Sequence, residues 1–210
     1  MAIPTCSLLV LGPEYSGKTA LCNVLQTIWK SVQIPEAIQS QVPFDMKELS
    51  EYLRPTRPTT GVENYHCTSS SSEVPALILQ EVGGSLTSLW YSYARHCHGI
   101  LVIIDVTSPT SISQGAEILR SACCAPTFAE AAAASIASAA MPCSPVVPVC
   151  CILTHTDADD AIHPHTISRC LQLPALYQAI DDISSFTSIP YSIITGEGLI
   201  EIIQWILACA

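Results

Sequence analysis

The chain has few basic residues, and they do not cluster. Only 8 of its 210 residues are Lys or Arg, against 18 Asp or Glu, which gives a formal net charge of -10. Nucleic-acid backbones and anionic membrane surfaces are bound through concentrated Lys and Arg. We therefore expect no nucleic-acid partner and no direct binding to a membrane surface.

Long apolar runs are also absent, although 49% of the residues are hydrophobic. No run approaches the ~20 residues that a membrane-spanning helix requires, and no secretory signal precedes the first run. Residue 2 is Ala, which excludes N-myristoylation, and Cys209 is next to last, where it cannot be prenylated. The sequence predicts a soluble, cytoplasmic protein without a membrane anchor of its own.

Patterned cysteine spacing is the third absence. The chain has 11 cysteines, but no two are spaced as C-x-x-C, and several lie inside apolar runs, as Cys150 and Cys151 do. We expect reduced and mostly buried thiols, as in a cytosolic protein, and neither a disulfide framework nor a zinc site.

Apolar runs and helical patterns alternate along the chain. The apolar or β-branched runs lie at 7–11, 76–82, 99–106, 146–153 and 189–194, and the helical patterns near 18–30, 110–122, 174–185 and 198–208. Such alternation predicts an α/β fold in which a mostly parallel sheet has helices on both faces. The length suits a single domain, 1–210, with a low-complexity Ala/Pro-rich insertion at about 123–148 and a flexible hairpin tip at 68–73.

The strongest motif follows the first apolar run directly. Residues 12–19 read Gly-Pro-Glu-Tyr-Ser-Gly-Lys-Thr, which matches the phosphate-binding pattern G-x-x-x-x-G-K-[ST] between a predicted strand and a predicted helix. Glycines allow a tight turn whose N–H groups point at phosphate oxygens, and a helix N-terminus favours anions. Lys18 would reach the outer phosphates, and the Thr19 hydroxyl would ligate magnesium. The predicted nucleotide contacts here are Gly12, Glu14, Tyr15, Ser16, Gly17, Lys18, Thr19 and Ala20.

Two later segments supply the other contacts that a triphosphate and its metal need. In Pro58-Thr59-Thr60-Gly61, after an irregular stretch, Thr59 can offer a hydroxyl to Mg²⁺ and its N–H to a γ-phosphate. The run 76–82 ends in Glu81-Val82-Gly83-Gly84. There Glu81 is placed to hold the metal through a water, and Gly84 to turn its N–H toward the γ-phosphate.

The predicted base-binding residues follow two other apolar runs. In Thr154-His155-Thr156-Asp157, the Asp157 carboxylate can accept hydrogen bonds from N1–H and N2–H₂ of guanine, a pair that adenine does not present. In Ser192-Ile193-Ile194-Thr195-Gly196, backbone N–H groups can meet guanine O6. Open α/β sheets bind ligands at the carboxyl ends of strands. The expected base contacts are Thr154, His155, Asp157, Ser192 and Ile193.

With Leu89-Trp90 and Tyr93 after the double glycine, these motifs resemble those of the ADP-ribosylation-factor-like small GTPases over nearly the whole chain, the insertion excepted. The resemblance implies a P-loop small-GTPase fold with a six-stranded sheet, GTP/GDP and Mg²⁺ as ligands, and a monomeric switch in vesicle trafficking. It also implies an effector, an exchange factor and a GTPase-activating protein as partners, which would recruit the protein to membranes or the cilium.

The chain departs from the family pattern at the catalytic position. Ser85 stands where the family carries the Gln that orients the attacking water, so we expect slow or partner-dependent hydrolysis and assign no catalytic residue. The base site also differs, because Thr154 and His155 replace the Asn and Lys of N-K-x-D, and Ile193-Ile194 replaces Ala-Lys/Arg.

These departures keep other functions open. One is a non-hydrolysing GTP-binding scaffold. Another is a P-loop small-molecule kinase, although the chain has only five Arg with which to clamp a transferring phosphate.

Overall fold

Six strands form one sheet. The computed structural model describes residues 5–30, 56–69, 74–86, 90–94, 97–124, 147–179 and 186–210, with single positions at 34, 38 and 47. The strands are β1 (Thr5–Leu11), β2 (Val62–Cys67), β3 (Ala76–Val82), β4 (Gly99–Asp105), β5 (Val149–Thr154) and β6 (Phe186–Pro190). Their spatial order is β2-β3-β1-β4-β5-β6. Neighbouring strands are parallel, except that β2 runs antiparallel to β3 at one edge.

Helices cover both faces of this sheet. Within the described residues they are α1 (Lys18–Lys30), α2 (Trp90–Ala94), α3 (Pro109–Cys124), α4 (Pro164–Cys170), α5 (Leu173–Ala179) and α6 (Leu199–Ala208). Buried side chains of α1 and α6 join one core cluster, and those of α2 to α5 join a second. Successive residues of a strand point to opposite faces, so the central strands contribute to both clusters. The predicted arrangement, a mostly parallel six-stranded sheet with helices on both faces, is confirmed.

The sixth strand, Phe186–Pro190, begins before the apolar run at 189–194 and ends inside it. Ser192 and Ile193 lie in the loop that follows the strand, where that loop was expected. The physical reason is a local turn: the Ser192 hydroxyl oxygen accepts hydrogen bonds from the N–H groups of Ile194 and Thr195, both at 3.1 Å. Such side-chain bonds compete with the ladder of a sheet and bend the chain away from it.

Three elements, β2, α2 and α4, have no counterpart among the apolar runs and helical patterns. β2 is an edge strand in which only Tyr65 and Cys67 are buried, so its sequence alternates instead of forming an apolar run. α4 is a helix of 7 residues that begins at Pro164. Proline suits a first helical position because the N–H it lacks would have no partner there.

Some predicted features lie partly or wholly outside the described residues. The helical pattern at 174–185 corresponds to Leu173–Ala179 within them, and positions 180–185 lie outside. Positions 70–73 of the hairpin tip, 125–146 of the insertion and Leu89 also lie outside.

Eight of the described cysteines form no disulfide: Cys6, Cys22, Cys67, Cys97, Cys150, Cys151, Cys170 and Cys209. Cys6, Cys22, Cys67, Cys150 and Cys151 are buried, and Cys170 is exposed. Burial raises the pKa of the Cys6 thiol to about 11, so this thiol is protonated at neutral pH. No helix in the described part of the chain has both the length and the apolar character needed to cross a bilayer.

Candidate functional site

The loop at residues 12–17 joins β1 to α1 and has a backbone that favours glycine at two places. Gly12 and Gly17 have φ angles of 153° and 91°. A Cβ atom at Gly12 would overlap the Ile103 carbonyl oxygen and lie 2.9 Å from Ser16 Oγ. The loop therefore packs directly against β4. Its position before α1 places the loop at a helix N-terminus, where anions bind.

The Lys18 ammonium folds back over this loop. Its Nζ donates to the carbonyl oxygens of Gly12 at 3.0 Å and Pro13 at 2.6 Å, and only 6% of the residue is exposed. Burial lowers the pKa of Lys18, while the nearby Glu81 carboxylate acts in the opposite direction. Because an ammonium has three N–H donors, one remains for an anion bound over the loop.

The three predicted metal residues meet beside the loop. Thr19 Oγ1 donates to Glu81 Oε1 at 2.8 Å, and Thr59 Oγ1 donates to the same oxygen at 3.0 Å. The two hydroxyl oxygens are 3.3 Å apart. Hydroxyl and carboxylate oxygens are hard ligands that suit Mg²⁺, which keeps several waters and takes further oxygens from substrate phosphates. The residues present therefore fit a magnesium ion.

Tyr65 holds the Glu81 carboxylate from its other side, a contact that sequence reasoning missed. Glu81 is 1% exposed, and its Oε2 accepts from the Tyr65 hydroxyl at 3.1 Å, while the same hydroxyl lies 2.8 Å from Glu63 Oε2. Burial raises the pKa of Tyr65, and the hydrogen bond to Glu63 raises it further. The available signal was the alternation in β2, where Tyr65 is the inward aromatic between exposed Asn64 and His66.

The double glycine brings the Thr59 segment and the phosphate loop together. Gly83 N donates to Gly61 O at 2.9 Å. A Cβ atom at Gly84 would lie 2.6 Å from the backbone nitrogen of Glu14. No side chain fits between these backbones, so Gly84 lies directly against the phosphate loop.

A cavity of about 200 Å³ opens between these segments. Its lining also includes Thr56, Arg57 and Pro58, so Arg57 adds a cation that sequence reasoning did not assign to the site. The predicted residues that line it are Glu14, Tyr15, Ser16, Gly17, Lys18, Thr19, Ala20, Thr59, Glu81, Gly84 and His155. Those that do not are Gly12, Thr154, Asp157, Ser192 and Ile193.

Thr154 supports the phosphate loop through a hydrogen bond to its backbone. It is 4% exposed, and its Oγ1 lies 2.9 Å from Ser16 O and 3.2 Å from Ile104 O, so its one proton is shared between two carbonyl oxygens. A Cβ atom at Gly17 would lie 3.7 Å from Thr154 Cγ2. Thr154 thereby fixes the loop to β4 and to the end of β5.

His155 follows at the end of β5 with a left-handed backbone, φ 61°. Its Nδ1 lies 3.1 Å from Asp105 Oδ1, although not in hydrogen-bond geometry. The same Asp105 oxygen accepts from Thr107 N at 2.8 Å and from Thr107 Oγ1 at 2.7 Å. Since 43% of the His155 side chain is exposed, the imidazole is accessible to a ligand above the cavity.

The two predicted base-binding loops lie side by side at the same edge of the sheet. Thr156 Oγ1 donates to Glu197 Oε2 at 3.2 Å, which joins the loop after β5 to the loop after β6. Asp157 is exposed, and its carboxylate has no hydrogen-bond partner among the described residues. Ser192 is fully buried, where its hydroxyl shapes the second loop.

A second, larger cavity adjoins the first. It has a volume of about 880 Å³ and shares Glu14, Tyr15 and Gly84 with the smaller one. Ser85 and Trp90 line it, together with polar side chains of α3. The larger cavity therefore provides space for another molecule next to Ser85.

Comparison with known proteins adds the fold family to this geometry. No protein-family model matches the chain, and no curated protein sequence does. Among solved structures, the chain is similar to the Arl6 (BBS3) small GTPase of Trypanosoma brucei, determined with the bound nucleotide analogue GppNp. The match has a TM-score of 0.64 at 15% sequence identity, and it covers 96% of this chain and 95% of that chain. The chain therefore has the P-loop α/β fold of the small GTPases, as predicted.

Proposed function

We propose that the protein is a GTP-binding molecular switch of the Arf-like small-GTPase type. The observation that carries this proposal is the meeting of Thr19, Thr59 and Glu81 from three separate segments. They supply oxygen ligands for magnesium next to a phosphate-binding loop. The nucleotide analogue in the similar trypanosomal protein supports a guanine nucleotide as the ligand here.

Two details of the motifs favour one branch of this family, closest to ADP-ribosylation factor-like protein 16. Arg57-Pro58-Thr59 precedes β2, and Glu81 rather than Asp precedes the double glycine. Val62 and Gln80 stand where Arf proteins present aromatic side chains to effectors. We therefore expect an effector set that differs from that of the Arf proteins.

In the proposed switch, different residues of the chain bind the phosphates and the magnesium ion. The N–H groups of residues 14–20 and the Lys18 ammonium hold phosphate oxygens, while Thr19, Thr59 and, through a water, Glu81 hold magnesium. The ion, when bound, neutralises charge on the β- and γ-phosphates. The Gly84 N–H binds the γ-phosphate, and loss of that phosphate releases the Thr59 segment.

The base is read at the edge formed by the loops after β5 and β6. Asp157 accepts hydrogen bonds from guanine N1–H and N2–H₂, the partly exposed His155 ring packs along the base, and the backbone of Ser192 and Ile193 contacts guanine O6. Thr154 acts through the loop, since its hydroxyl bonds to Ser16 O. A lysine stem along the base is missing, so we expect faster nucleotide exchange than in relatives with N-K-x-D.

Intrinsic hydrolysis is expected to be slow, because the short Ser85 side chain cannot position the attacking water. Ser85→Gln should raise the single-turnover rate of GTP hydrolysis by about 10-fold or more, since a Gln amide can orient that water. The matched control is Ser113→Gln, the same change at an exposed position of α3, which should hydrolyse GTP at the wild-type rate. A Ser85→Gln rate no higher than that of the control would contradict the assignment of Ser85.

Ser85 also favours a second function, a non-hydrolysing scaffold that holds GTP as a structural ligand. A single-turnover assay of GTP-loaded protein, with and without cell extract, separates the two functions. The cavity of about 880 Å³ at Ser85 offers space for a group inserted by a partner. Hydrolysis accelerated by extract supports the switch and contradicts the scaffold.

The proposal includes partners and a place in the cell. A switch of this kind needs an exchange factor, a GTPase-activating protein and an effector. We propose that the protein is a monomer in the cytoplasm, acts in vesicle trafficking, and reaches membranes or the cilium through these partners.

The test of the proposed function is the identity of the nucleotide carried by the purified protein. Denaturation releases the nucleotide, and column chromatography identifies it. We expect GDP or GTP, retained in the presence of Mg²⁺ and released by EDTA. Equal affinity for ATP and GTP would favour a P-loop kinase instead, and failure to bind added GTP with Mg²⁺ would contradict the proposal.

A further inference from the structure

Two carboxylates and one phenol lie on the same face of the β2–β3 pair. Glu63 is paired with Glu81 across the two strands, and Tyr65 is paired with Leu79, so Tyr65 lies diagonally from Glu81. Like charges directly opposite each other on antiparallel strands are unfavourable. Both carboxylates nevertheless approach the Tyr65 hydroxyl, Glu63 Oε2 at 2.8 Å and Glu81 Oε2 at 3.1 Å.

The two carboxylates compete for one proton, because a tyrosine hydroxyl donates a single hydrogen bond. Glu63 is exposed and can accept hydrogen bonds from water instead. Glu81 is 1% exposed and depends on donors from the protein. Since a buried charge without hydrogen bonds is costly, the Tyr65 proton matters more to Glu81 than to Glu63.

The two oxygens of Glu81 have different partners. Oε1 accepts from the hydroxyls of Thr19 and Thr59, and Oε2 accepts from Tyr65. Ligation of a divalent cation by the two threonine oxygens would use one lone pair of each and leave its proton available to donate to Oε1. Tyr65 donates to the other oxygen of Glu81. Tyr65 would therefore fix the rotation of the carboxylate from the side away from the threonines.

We propose that Tyr65 is a positioning residue for the divalent cation: its hydroxyl holds Glu81 Oε2 and so directs Oε1 toward Thr19 and Thr59. The proposal rests on the magnesium site of the proposed function. A glutamate loses more rotamer freedom on ordering than an aspartate does, and the Tyr65 bond orders it before the ion arrives. Glu63 opposes this role, because Tyr65 cannot donate to Glu63 and Glu81 at once.

The experiment uses Mn²⁺ as the probe and measures its dissociation constant by electron paramagnetic resonance. The full chain is titrated both loaded with GDP and stripped of nucleotide. Tyr65→Phe removes the hydroxyl and keeps the ring, and should weaken Mn²⁺ binding by about 10-fold, the low end of the loss caused by removing a supporting hydrogen bond around a metal site. Glu63→Asp keeps the negative charge but draws the competing carboxylate back by one methylene, so it should strengthen Mn²⁺ binding.

The matched control is Tyr191→Phe. Tyr191 is 2% exposed, and its hydroxyl has no hydrogen-bond partner among the described residues. This variant therefore loses the same buried atom without losing a contact to Glu81, and its Mn²⁺ affinity should equal that of wild type. Unfolding temperatures in EDTA measure any general loss of stability separately from metal binding.

A purely structural role would lower the unfolding temperature of Tyr65→Phe and leave the Mn²⁺ affinity of the folded variants unchanged. The proposal is overturned if Tyr65→Phe binds Mn²⁺ within about 2-fold of wild type, well below the loss expected for such a contact. If Tyr65→Phe does not fold, the Mn²⁺ affinity of Glu63→Asp decides, because that variant keeps both the phenol and the charge. Unchanged or weaker Mn²⁺ binding in that variant overturns the proposal.

The outcome for Tyr65 is distinguishable from the outcome for the proposed function. If the chain binds GDP but Tyr65→Phe leaves the Mn²⁺ affinity unchanged, the switch is supported and the positioning role of Tyr65 is contradicted. If the chain binds no guanine nucleotide but Tyr65→Phe weakens Mn²⁺ binding, the positioning role is supported and the switch is contradicted. A wild-type chain that binds neither Mn²⁺ nor nucleotide overturns both.

Discussion

Lys18→Ala is expected to lower the affinity for GTP and GDP by about 10- to 100-fold. A charge-assisted hydrogen bond contributes about 1.5–3 kcal/mol, and the ammonium has one donor left for a phosphate oxygen. That contribution corresponds to a factor of about 10 to 100, because each 1.4 kcal/mol is about tenfold in affinity. Equilibrium titration with a fluorescent guanine nucleotide in Mg²⁺ measures the loss.

The same change should not destabilise the nucleotide-free protein. Lys18 is 6% exposed, and burial lowers its pKa, which means that the folded state disfavours the charged form. Its two partners are the carbonyl oxygens of Gly12 and Pro13, which water can reach once the side chain is shortened. We therefore expect an unfolding temperature in EDTA equal to or above that of wild type.

Lys30→Ala is the matched control for this experiment. Lys30 lies in the same helix, at the opposite end, and is exposed. It should bind nucleotide as wild type does. If Lys18→Ala retained nucleotide affinity within about 3-fold of Lys30→Ala, far short of one charge-assisted bond, the loop would not be the phosphate site.

Two kinds of site residue could be predicted from the sequence: those in a short contiguous motif, and those that end a predicted strand. The spacing of Gly12, Gly17 and Lys18 identifies a phosphate loop because successive backbone N–H groups act together. Glu81 could be assigned because it ends a predicted strand, and carboxyl ends of parallel strands share one edge. The fold class followed from the alternation of apolar runs and helical patterns.

The contacts that hold these residues depend on tertiary structure and could not be predicted. Thr154 bonds to Ser16 across 138 positions of sequence, so its support of the loop exists only once β5 lies beside β4. Tyr65 reaches Glu81 because of the register in which β2 pairs with β3. The alternation of β2 indicates only that Tyr65 points inward, and neither residue's type identifies the partner that it contacts.

The end of β6 shows the limit of apolar periodicity. Tyr191, Ile193 and Ile194 continue the apolar run, yet the strand ends at Pro190. The Ser192 hydroxyl oxygen accepts hydrogen bonds from the N–H groups of Ile194 and Thr195. The Ile194 residue is 72% exposed. Tyr191 remains buried and its N–H still donates to Leu153 O, so only Ile194 is turned to solvent, where the Ser192 hydroxyl satisfies backbone donors that a strand would need.

Asp157→Asn is expected to change the preferred base from guanine to xanthine. A carboxylate accepts from both N1–H and N2–H₂ of guanine, whereas an amide offers one acceptor and one donor. Its NH₂ group would face the guanine N2–H₂ donor, and two donors cannot bond to each other. Xanthine has a carbonyl at that position, so the amide pairs with it and with N1–H.

The size of the expected change in base preference follows from the cost of leaving polar groups of the base site unpaired. Sites built to hydrogen-bond a substrate discriminate against an analogue that lacks the matching group by about 10⁴. The ratio of GTP to XTP affinity should therefore fall by at least about 1,000-fold. Competition of GTP and XTP against a fluorescent nucleotide measures both affinities in one variant. Because the two nucleotides share their phosphates, loss of the Lys18 contacts would weaken both equally and leave the ratio unchanged.

Asp159→Asn makes the same chemical change two residues away, at another exposed position of the loop, and should keep the wild-type ratio. An Asp157→Asn variant that still prefers GTP as strongly as Asp159→Asn would show that another group reads the base. The exposed carboxylate of Asp157, held beside the loop after β6 by the Thr156 to Glu197 hydrogen bond, is the group that this comparison isolates. If the phosphate loop binds any nucleoside triphosphate, we expect the preference for guanine to depend on this edge.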